Sequence, residues 1–199
     1  MKLGSTQRLR DRMKEEAQRA ILEAAEHVFG EEGFSARLDR VAARAGVAVG
    51  TLYNHFEDRE ALVGALSRAR REALLARLDA ALEAGQGKPF EAQLRSLLAA
   101  FGEHVRTHGR FLSRLAQAGE GPARAVPRGT LLDALRARAD VLVARGVEVG
   151  ALREDGRERF GLALVGLART LLIQALVSGE DFAATEAAVA ELFLRGAGR

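Results

Sequence analysis

The side chains best suited to chemistry lie together in the stretch from Gly46 to Phe56. Within it, Thr51, Tyr53 and His55 carry two hydroxyl groups and an imidazole. Such groups donate hydrogen bonds to phosphate oxygens, and a threonine can also contact a base edge. These residue types at this spacing predict contacts with a nucleic acid.

Two short helices would have to present these groups. They are expected at about Leu38–Ala45 and Ala48–His55, joined by a tight turn in which Gly46 permits the bend and Val47 acts as an apolar plug. Leu52 would pack inward, which leaves small and polar residues on the outer face. This pattern is typical of a helix-turn-helix whose second helix lies in the DNA major groove.

The rest of the chain predicts helices as well. It is 48% hydrophobic and 29% charged with only 3 prolines, and its apolar residues recur at helical spacing rather than alternating as in strands. We therefore expect an all-α fold. A basic arm at 1–14 would precede an N-terminal three-helix helix-turn-helix DNA-binding domain at 15–60, and a C-terminal helical domain would occupy 61–199.

Charged residues, glycines and prolines place the other boundaries. Beyond the helix-turn-helix, helices are expected at about Glu15–Gly30, from the Asp58 cap to Ala84, at Phe90–His108 with a separate short segment at 110–118, at Thr130–Arg145, at Arg157–Val177 after an Asp155 cap, and at Phe182–Arg195. The stretch Gly119–Gly129 is rich in glycine and proline and is expected to be a loop.

Charge is concentrated at the N-terminus although the net charge is only +3. Residues 1–14 hold five basic side chains and one acidic side chain. The segment would either lie along DNA phosphates or form a solvated, frayed terminus. With no cysteine and no apolar leader, the chain is expected in the cytoplasm. Its longest apolar stretch, 161–177, is interrupted by Arg169 and Gln174, so no membrane segment is predicted.

The helix at Arg157–Val177 is apolar nearly all round, so both of its sides must be covered. The cover would be either a second copy of the chain or the rest of its own core. On the first alternative, together with the last helix it would form a four-helix interface in a homodimer. The predicted dimer interface consists of Leu162, Val165, Ile173, Val177, Val189, Leu192 and Phe193.

The string Gly46-Val-x-x-Gly-Thr-Leu-Tyr-x-His-Phe56 closely resembles the TetR/AcrR family of bacterial transcriptional regulators. The resemblance implies a homodimer, joined through its last two helices, that binds a palindromic operator in double-stranded DNA. It also implies a repressor released by a small-molecule effector held in the C-terminal domain. A transcriptional activator or an effector-independent regulator is the alternative, and a helical protein-interaction scaffold without DNA binding is a more remote one.

The same resemblance extends to individual positions. Arg59 matches a lysine that contacts phosphate in the family, and Ala48 replaces a serine that caps the second helix. Val49 replaces a residue that is often polar, so we expect it to contact a thymine methyl group. The predicted DNA-contacting residues are Arg37, Arg40, Arg44, Ala48, Val49, Gly50, Thr51, Tyr53, Asn54, His55 and Arg59.

An effector pocket is less visible in the sequence because a pocket and an ordinary core are lined by the same residue types. The predicted lining residues are Phe101, His104, His108, Phe111, Leu115, Phe160, Arg169 and Gln174. Arg169 would face the pocket or form a salt bridge. His104 and His108, four residues apart, could bind zinc or nickel with Glu103 or Glu120, or could simply be surface histidines. No metal, cofactor or enzymatic activity is predicted, because no nucleophile–base arrangement or phosphate-binding glycine loop is present.

Overall fold

Eight α-helices form the part of the chain that this computed structural model describes, residues 3–117 and 128–198. They are α1 (Leu3–Glu32), α2 (Leu38–Ala45), α3 (Val49–His55), α4 (Arg59–Ala84), α5 (Phe90–Gln117), α6 (Arg128–Glu148), α7 (Arg157–Ser178) and α8 (Phe182–Ala197). The β-type pairing among these residues is one isolated bridge between Leu152 and Gly198. The all-α prediction is therefore confirmed. Most of the predicted loop Gly119–Gly129 lies outside the described residues.

The chain divides into two units, and the division differs from a boundary at residue 60. Unit 1 comprises Met1–Ala69 and Arg110–Val126, and unit 2 comprises Arg70–Gly109 and Pro127–Arg199. Each of the long helices α4 and α5 therefore contributes residues to both units. The sequence did not indicate this, because continuous helices carry no composition change where they pass from one core to another.

Unit 1 is organised around a core in which Phe29, Leu52 and Phe111 are buried almost completely. Phe111 belongs to α5, which continues through Gly109 to Gln117. The predicted break between His108 and residue 110 is therefore wrong. Gly109 is needed for close packing rather than for a turn, because an added Cβ would lie 2.2 Å from Cδ2 of Leu176.

The first helix begins twelve residues before the predicted Glu15, at Leu3. This extension contains three arginines, a glutamine and a lysine, and all three residue types favour helix. Two apolar side chains of the extension are exposed to solvent, Leu9 at 57% and Met13 at 61%. From Arg8 onward, the first fully buried residue of α1 is Ile21. The helix ends at Glu32, two residues beyond the expected Gly30, and Gly33 follows it with a φ of +82°.

Unit 2 has its own core, in which α7 packs against both α6 and α8. The buried stripe of α7 consists of Phe160, Gly161, Leu164, Val165, Ala168, Leu172 and Ala175. Among the described residues, α7 is the one helix that is long and apolar enough to cross a membrane, with a mean hydropathy of 1.9. This is weak evidence for a membrane span, because a helix with a core-facing stripe meets the same criteria. Burial also raises the pKa of the Glu186 carboxyl on α8, and the nearby Arg106 guanidinium opposes that rise.

Asp58 and Asp181 are N-caps, whereas Asp155 is not. The Oδ1 atom of Asp58 accepts a hydrogen bond from the amide of Ala61 at 2.7 Å, as predicted. Asp181 caps α8 in the same way, through the amide of Ala183 at 2.9 Å. Asp155 was expected to cap α7, but Gly156 occupies the N-cap position and Asp155 lies 3.5 Å from Arg153.

Candidate nucleic-acid interface

The turn between α2 and α3 has the geometry of a helix-turn-helix. Gly46 ends α2 in the left-handed conformation, with φ +69° and ψ +26°. Its amide donates to the carbonyl of Ala43 at 3.2 Å, and the amide of Val47 donates to the carbonyl of Ala42 at 3.0 Å. A side chain at position 46 would be strained in this conformation. The predicted roles of Gly46 as the turn residue and of α3 as the following helix agree with this geometry.

The start of α3 lacks a side-chain cap. Ala48 holds the N-cap position in an extended conformation, with φ −66° and ψ +148°, and its methyl group cannot accept a hydrogen bond. The absence of a cap costs about 1 kcal/mol in comparable helices. Leu52, which is fully buried, and Phe56, which is 5% exposed, anchor the helix to the core instead.

The outer face of α3 presents the residues predicted to meet DNA. Val49 is 41% exposed and Tyr53 is 51% exposed, although both are large apolar or aromatic side chains. Asn54 is exposed as well, while Thr51 and His55 are half-buried at the edges of this face. At Gly50, an added Cβ would meet open space. The structure therefore brings the predicted α3 residues together on one accessible surface, which we call the α3 face.

The three arginines near α2 are exposed, and two of them are paired with carboxylates. Arg37 lies 2.9 Å from Asp39 and Arg40 lies 2.8 Å from Glu32, whereas Arg44 is in the last turn of α2. Exposed ion pairs of this kind are worth roughly 0–1 kcal/mol. Exchanging these carboxylates for a DNA phosphate would therefore cost little.

The family resemblance implies that Arg59 contacts a DNA phosphate. In the structure, its partners are backbone carbonyls of its own chain. Its Nη1 atom donates to the carbonyl oxygens of Phe34 and Ala36, in the segment between α1 and α2. Arg59 is half-buried and thus holds this segment against the start of α4. Residue types alone could not indicate the contact, since every residue carries the same backbone carbonyl acceptor. At the start of α4, one backbone amide already donates to the side chain of Asp58.

Replacing Arg59 with methionine is expected to destabilise unit 1 in the absence of DNA. The carbonyls of Phe34 and Ala36 are part-buried and would lose a charged donor, at a cost of about 1–3 kcal/mol. The measurement is the urea midpoint, with Arg44→Met as the matched control at an exposed arginine. An unchanged midpoint combined with weaker DNA binding would instead assign Arg59 to phosphate contact.

The residues predicted to line an effector pocket do not converge. Phe111 and Leu115 belong to the core of unit 1. Phe160 packs edge-on against Phe193 with ring centroids 6.3 Å apart, and Arg169 and Gln174 are exposed. The scatter arises because helical spacing identifies which residues are apolar but not which neighbour they meet.

The two histidines on α5 lie close together. His104 is 2% exposed, so the alternative of two surface histidines is wrong for it, and its ring centroid is 4.6 Å from that of His108. Among residues 3–117 and 128–198, no group of three histidine, cysteine or acidic side chains is arranged to hold a metal. Glu103 contacts Arg106 and Thr107, and Glu120 lies outside the described residues.

Unit 2 contains a cavity of about 40 Å³ bordered by α4, α5, α6 and α7. Of the eight predicted lining residues, Phe101 is at this cavity. The described residues around it are Leu78, Leu97, Leu98, Phe101, Leu135, Arg138, Ala139, Leu164, Val165 and Ala168. Nine of these ten side chains are apolar, and Arg138 is the exception.

The surface of α7 and α8 carries exposed apolar side chains. Leu162 is 44%, Ile173 36%, Val177 66% and Leu192 50% exposed. The other three residues predicted for a dimer interface, Val165, Val189 and Phe193, are covered by their own chain and offer no surface to a partner. In the sequence, the buried side of α7 and its exposed side are equally apolar. The two sides differ in burial because α6 and α8 cover only one of them.

Comparison with known proteins gives matches of two kinds. Residues 21–66 match the family model described as "Bacterial regulatory proteins, tetR family". The HTH-type transcriptional regulator UidR of Escherichia coli K12 is 39% identical over 77 residues, which cover 37% of this chain and 39% of UidR. The match thus spans about two fifths of that relative.

Solved structures match over most of the chain at low identity. PfmR, a TetR family transcriptional regulator from Thermus thermophilus, has a TM-score of 0.69 at 22% identity, covering 88% of this chain and 97% of PfmR. FadR from Bacillus subtilis, in complex with stearoyl-CoA, has a TM-score of 0.73 at 19% identity, covering 89% of this chain and 98% of FadR. At these identities the likeness concerns the fold.

Proposed function

We propose that this chain is a homodimeric, cytoplasmic repressor of transcription of the tetR type, because residues 21–66 match that family model and 77 residues are 39% identical to UidR. It would bind a near-palindromic operator in double-stranded DNA and leave it when a small effector binds. The observation that carries the DNA-binding proposal is the α3 face, where Val49 and Tyr53 are exposed beside Thr51 and His55. An exposed aromatic ring among hydrogen-bond donors has no role in the core of unit 1.

The proposal of a homodimer rests on the surface of α7 and α8. Leu162, Ile173, Val177 and Leu192 are large, apolar and at least 36% exposed. A second copy of the chain would cover them with the same residues, as two-fold symmetry requires. Two α3 faces could then enter successive major grooves, about 34–36 Å apart.

Val49 is proposed to read a thymine in each half-site. Its side chain is apolar and accessible, so its favourable contact in the major groove is the thymine methyl group. Replacing that thymine with uracil, which lacks only the methyl, should weaken binding several-fold at each half-site. Equal affinity of the two DNAs in a titration would contradict the proposal, and uracil at a position outside the footprint is the control.

The basic extension of α1 is proposed to bind additional phosphates. Arg8 and Arg12 are exposed on this helix, and glutamine at both positions would preserve the helix while removing the charge. The slope of log affinity against log salt should become shallower by about 1 for each arginine that binds a phosphate. The same replacement at Arg95 and Arg159 in unit 2 should leave the slope unchanged. If the unchanged protein and both variants had equal slopes, the extension would be exposed to solvent and would not contact DNA.

The effector is proposed to enter the cavity of unit 2. FadR of Bacillus subtilis, which has a similar fold, was solved with stearoyl-CoA, and this supports a small-molecule effector; the location is proposed from the cavity itself. An effector shifts the equilibrium only by binding the DNA-free arrangement more tightly than the operator-bound one. An effector in the cavity would therefore have to favour an arrangement of the helices that differs from the operator-bound arrangement.

Selection of genomic fragments by the purified protein, followed by footprinting at stated salt, tests the proposal as a whole. A protected palindrome and a sedimentation mass of two chains would support the homodimeric regulator. Binding no tighter than to bulk DNA, from a protein shown to be folded and free of bound small molecules, would contradict operator recognition. Transcription from a promoter carrying the palindrome then distinguishes a repressor, which lowers it, from an activator, which raises it.

A further inference from the structure

We propose that the effector is an uncharged apolar molecule with one oxygen acceptor, and that Arg138 recognises that oxygen. This inference rests on the proposed function, since it specifies the ligand of the cavity in unit 2. The nine apolar side chains around the cavity, contributed by four helices, would surround the body of the ligand. A single polar residue among them would fix its orientation, as is usual in small-molecule sites.

Of the three nitrogen atoms in the Arg138 guanidinium, Nε is the one without a hydrogen-bond partner among the described residues. Its Nη2 atom donates to Oδ2 of Asp79 on α4 at 2.6 Å, and its Nη1 atom donates to the carbonyl of Ala134 at 3.0 Å. Its Nε atom is buried and, within the described part of the chain, meets no acceptor. A buried donor without an acceptor is costly, so an oxygen atom placed there would be stabilised.

The charge around the cavity favours an uncharged oxygen. The guanidinium of Arg138 is already balanced by the carboxylate of Asp79. A carboxylate ligand would bring a second negative charge among nine apolar side chains with no cation of its own, and an amine would add a second cation. The carbonyl oxygen of a ketone, ester, lactone or amide would accept a hydrogen bond from the Nε–H group without disturbing the ion pair.

The size of the cavity limits the ligand. A volume of about 40 Å³ is smaller than the cavity of about 150 Å³ that holds a benzene molecule in an engineered protein. A ligand of six or more heavy atoms would therefore have to displace side chains such as Leu78, Leu98 and Phe101. These side chains are contributed by α4 and α5, so occupation would alter the packing of α4 against the other helices of unit 2.

Three probes of equal length test the inference without DNA. Hexan-2-one, hexanoate and hexylamine differ in their polar end group, and their affinities can be measured by calorimetry with the intact protein. We expect hexan-2-one to bind at least about tenfold more tightly than either charged probe, a difference of about 1.4 kcal/mol. Tighter binding of hexanoate would overturn the proposal of an uncharged ligand, as would equal binding of all three.

Two variants locate the effect. Arg138→Met should lower the affinity for hexan-2-one about tenfold, to that of a purely apolar contact. Arg136→Met is the matched control on the same helix, since Arg136 is exposed and pairs with Asp140. If both variants lost affinity equally, or if neither lost any, Arg138 would not be the residue that recognises the ligand oxygen. Ala168→Leu, with its helical content verified, should abolish binding by filling the cavity, and unchanged binding would place the ligand elsewhere.

The experiments distinguish a failure of the proposed ligand class from a failure of the proposed regulatory function. If hexan-2-one binds as expected but no DNA is recognised, the proposed function is wrong and the ligand class stands. If an operator is recognised but no probe binds, the ligand class is wrong and the regulator stands.

Discussion

Replacing Tyr53 and His55 together with alanine is expected to weaken operator binding by about two orders of magnitude. Each side chain is a donor on the α3 face, and a hydrogen bond to a charged acceptor such as phosphate contributes about 1.5–3 kcal/mol. The loss of two such bonds corresponds to a factor of about 100 or more. Fluorescence anisotropy with labelled operator at one fixed salt concentration measures it.

Stability provides the internal control for this double replacement. Tyr53 is 51% exposed, so its loss should leave the urea midpoint nearly unchanged. Tyr53→Phe with His55 intact isolates the tyrosine hydroxyl and should account for only part of the loss. Undiminished binding by a folded double variant would mean that the α3 face is not the DNA-contacting surface.

The helix-turn-helix was predictable from sequence because local chemistry determines it. Gly46 has a positive φ that few other residues adopt, and Leu52 is the inward residue of a short helix whose other faces are small or polar. The observed boundaries of α2, Leu38–Ala45, coincide with the predicted ones, and α3 begins one residue later than expected. Each of these features depends on residues within one or two turns of each other.

Features that depend on distant residues were not predictable. Gly109 looks like a helix stop in sequence, yet it packs against Leu176 and α5 continues through it. Arg59 is predicted to contact a phosphate, and the sequence could not show that it also donates to carbonyls more than twenty residues away. The cavity illustrates the same limit, because Arg138 is one of many helical arginines until the fold places it beside nine apolar side chains.

Replacing Phe111 with alanine is expected to destabilise unit 1 by about 3–5 kcal/mol, the usual cost of removing a buried phenyl ring. The side chain is 1% exposed, and its ring stands edge-on to that of Phe34 with centroids 6.0 Å apart. The backbone amide of Phe111 also lies close to Gly30, where an added Cβ would be 3.5 Å away. The surrounding backbone therefore has little room to collapse into the space that the ring leaves.

The consequence should be confined to unit 1. Hydrogen exchange of the amides in α2 and α3 should accelerate, because both helices share the core that contains Phe111, and DNA binding should weaken with it. Phe193→Ala is the matched control, since Phe193 is 3% exposed in the core of unit 2 and should accelerate exchange in α7 and α8 instead. If Phe111→Ala accelerated exchange in α7 and α8 while α2 and α3 stayed protected, the last turns of α5 would belong to the core of unit 2. The sequence-based assignment of Phe111 to the effector domain would then be restored, because its ring would be packed among the helices that surround the cavity.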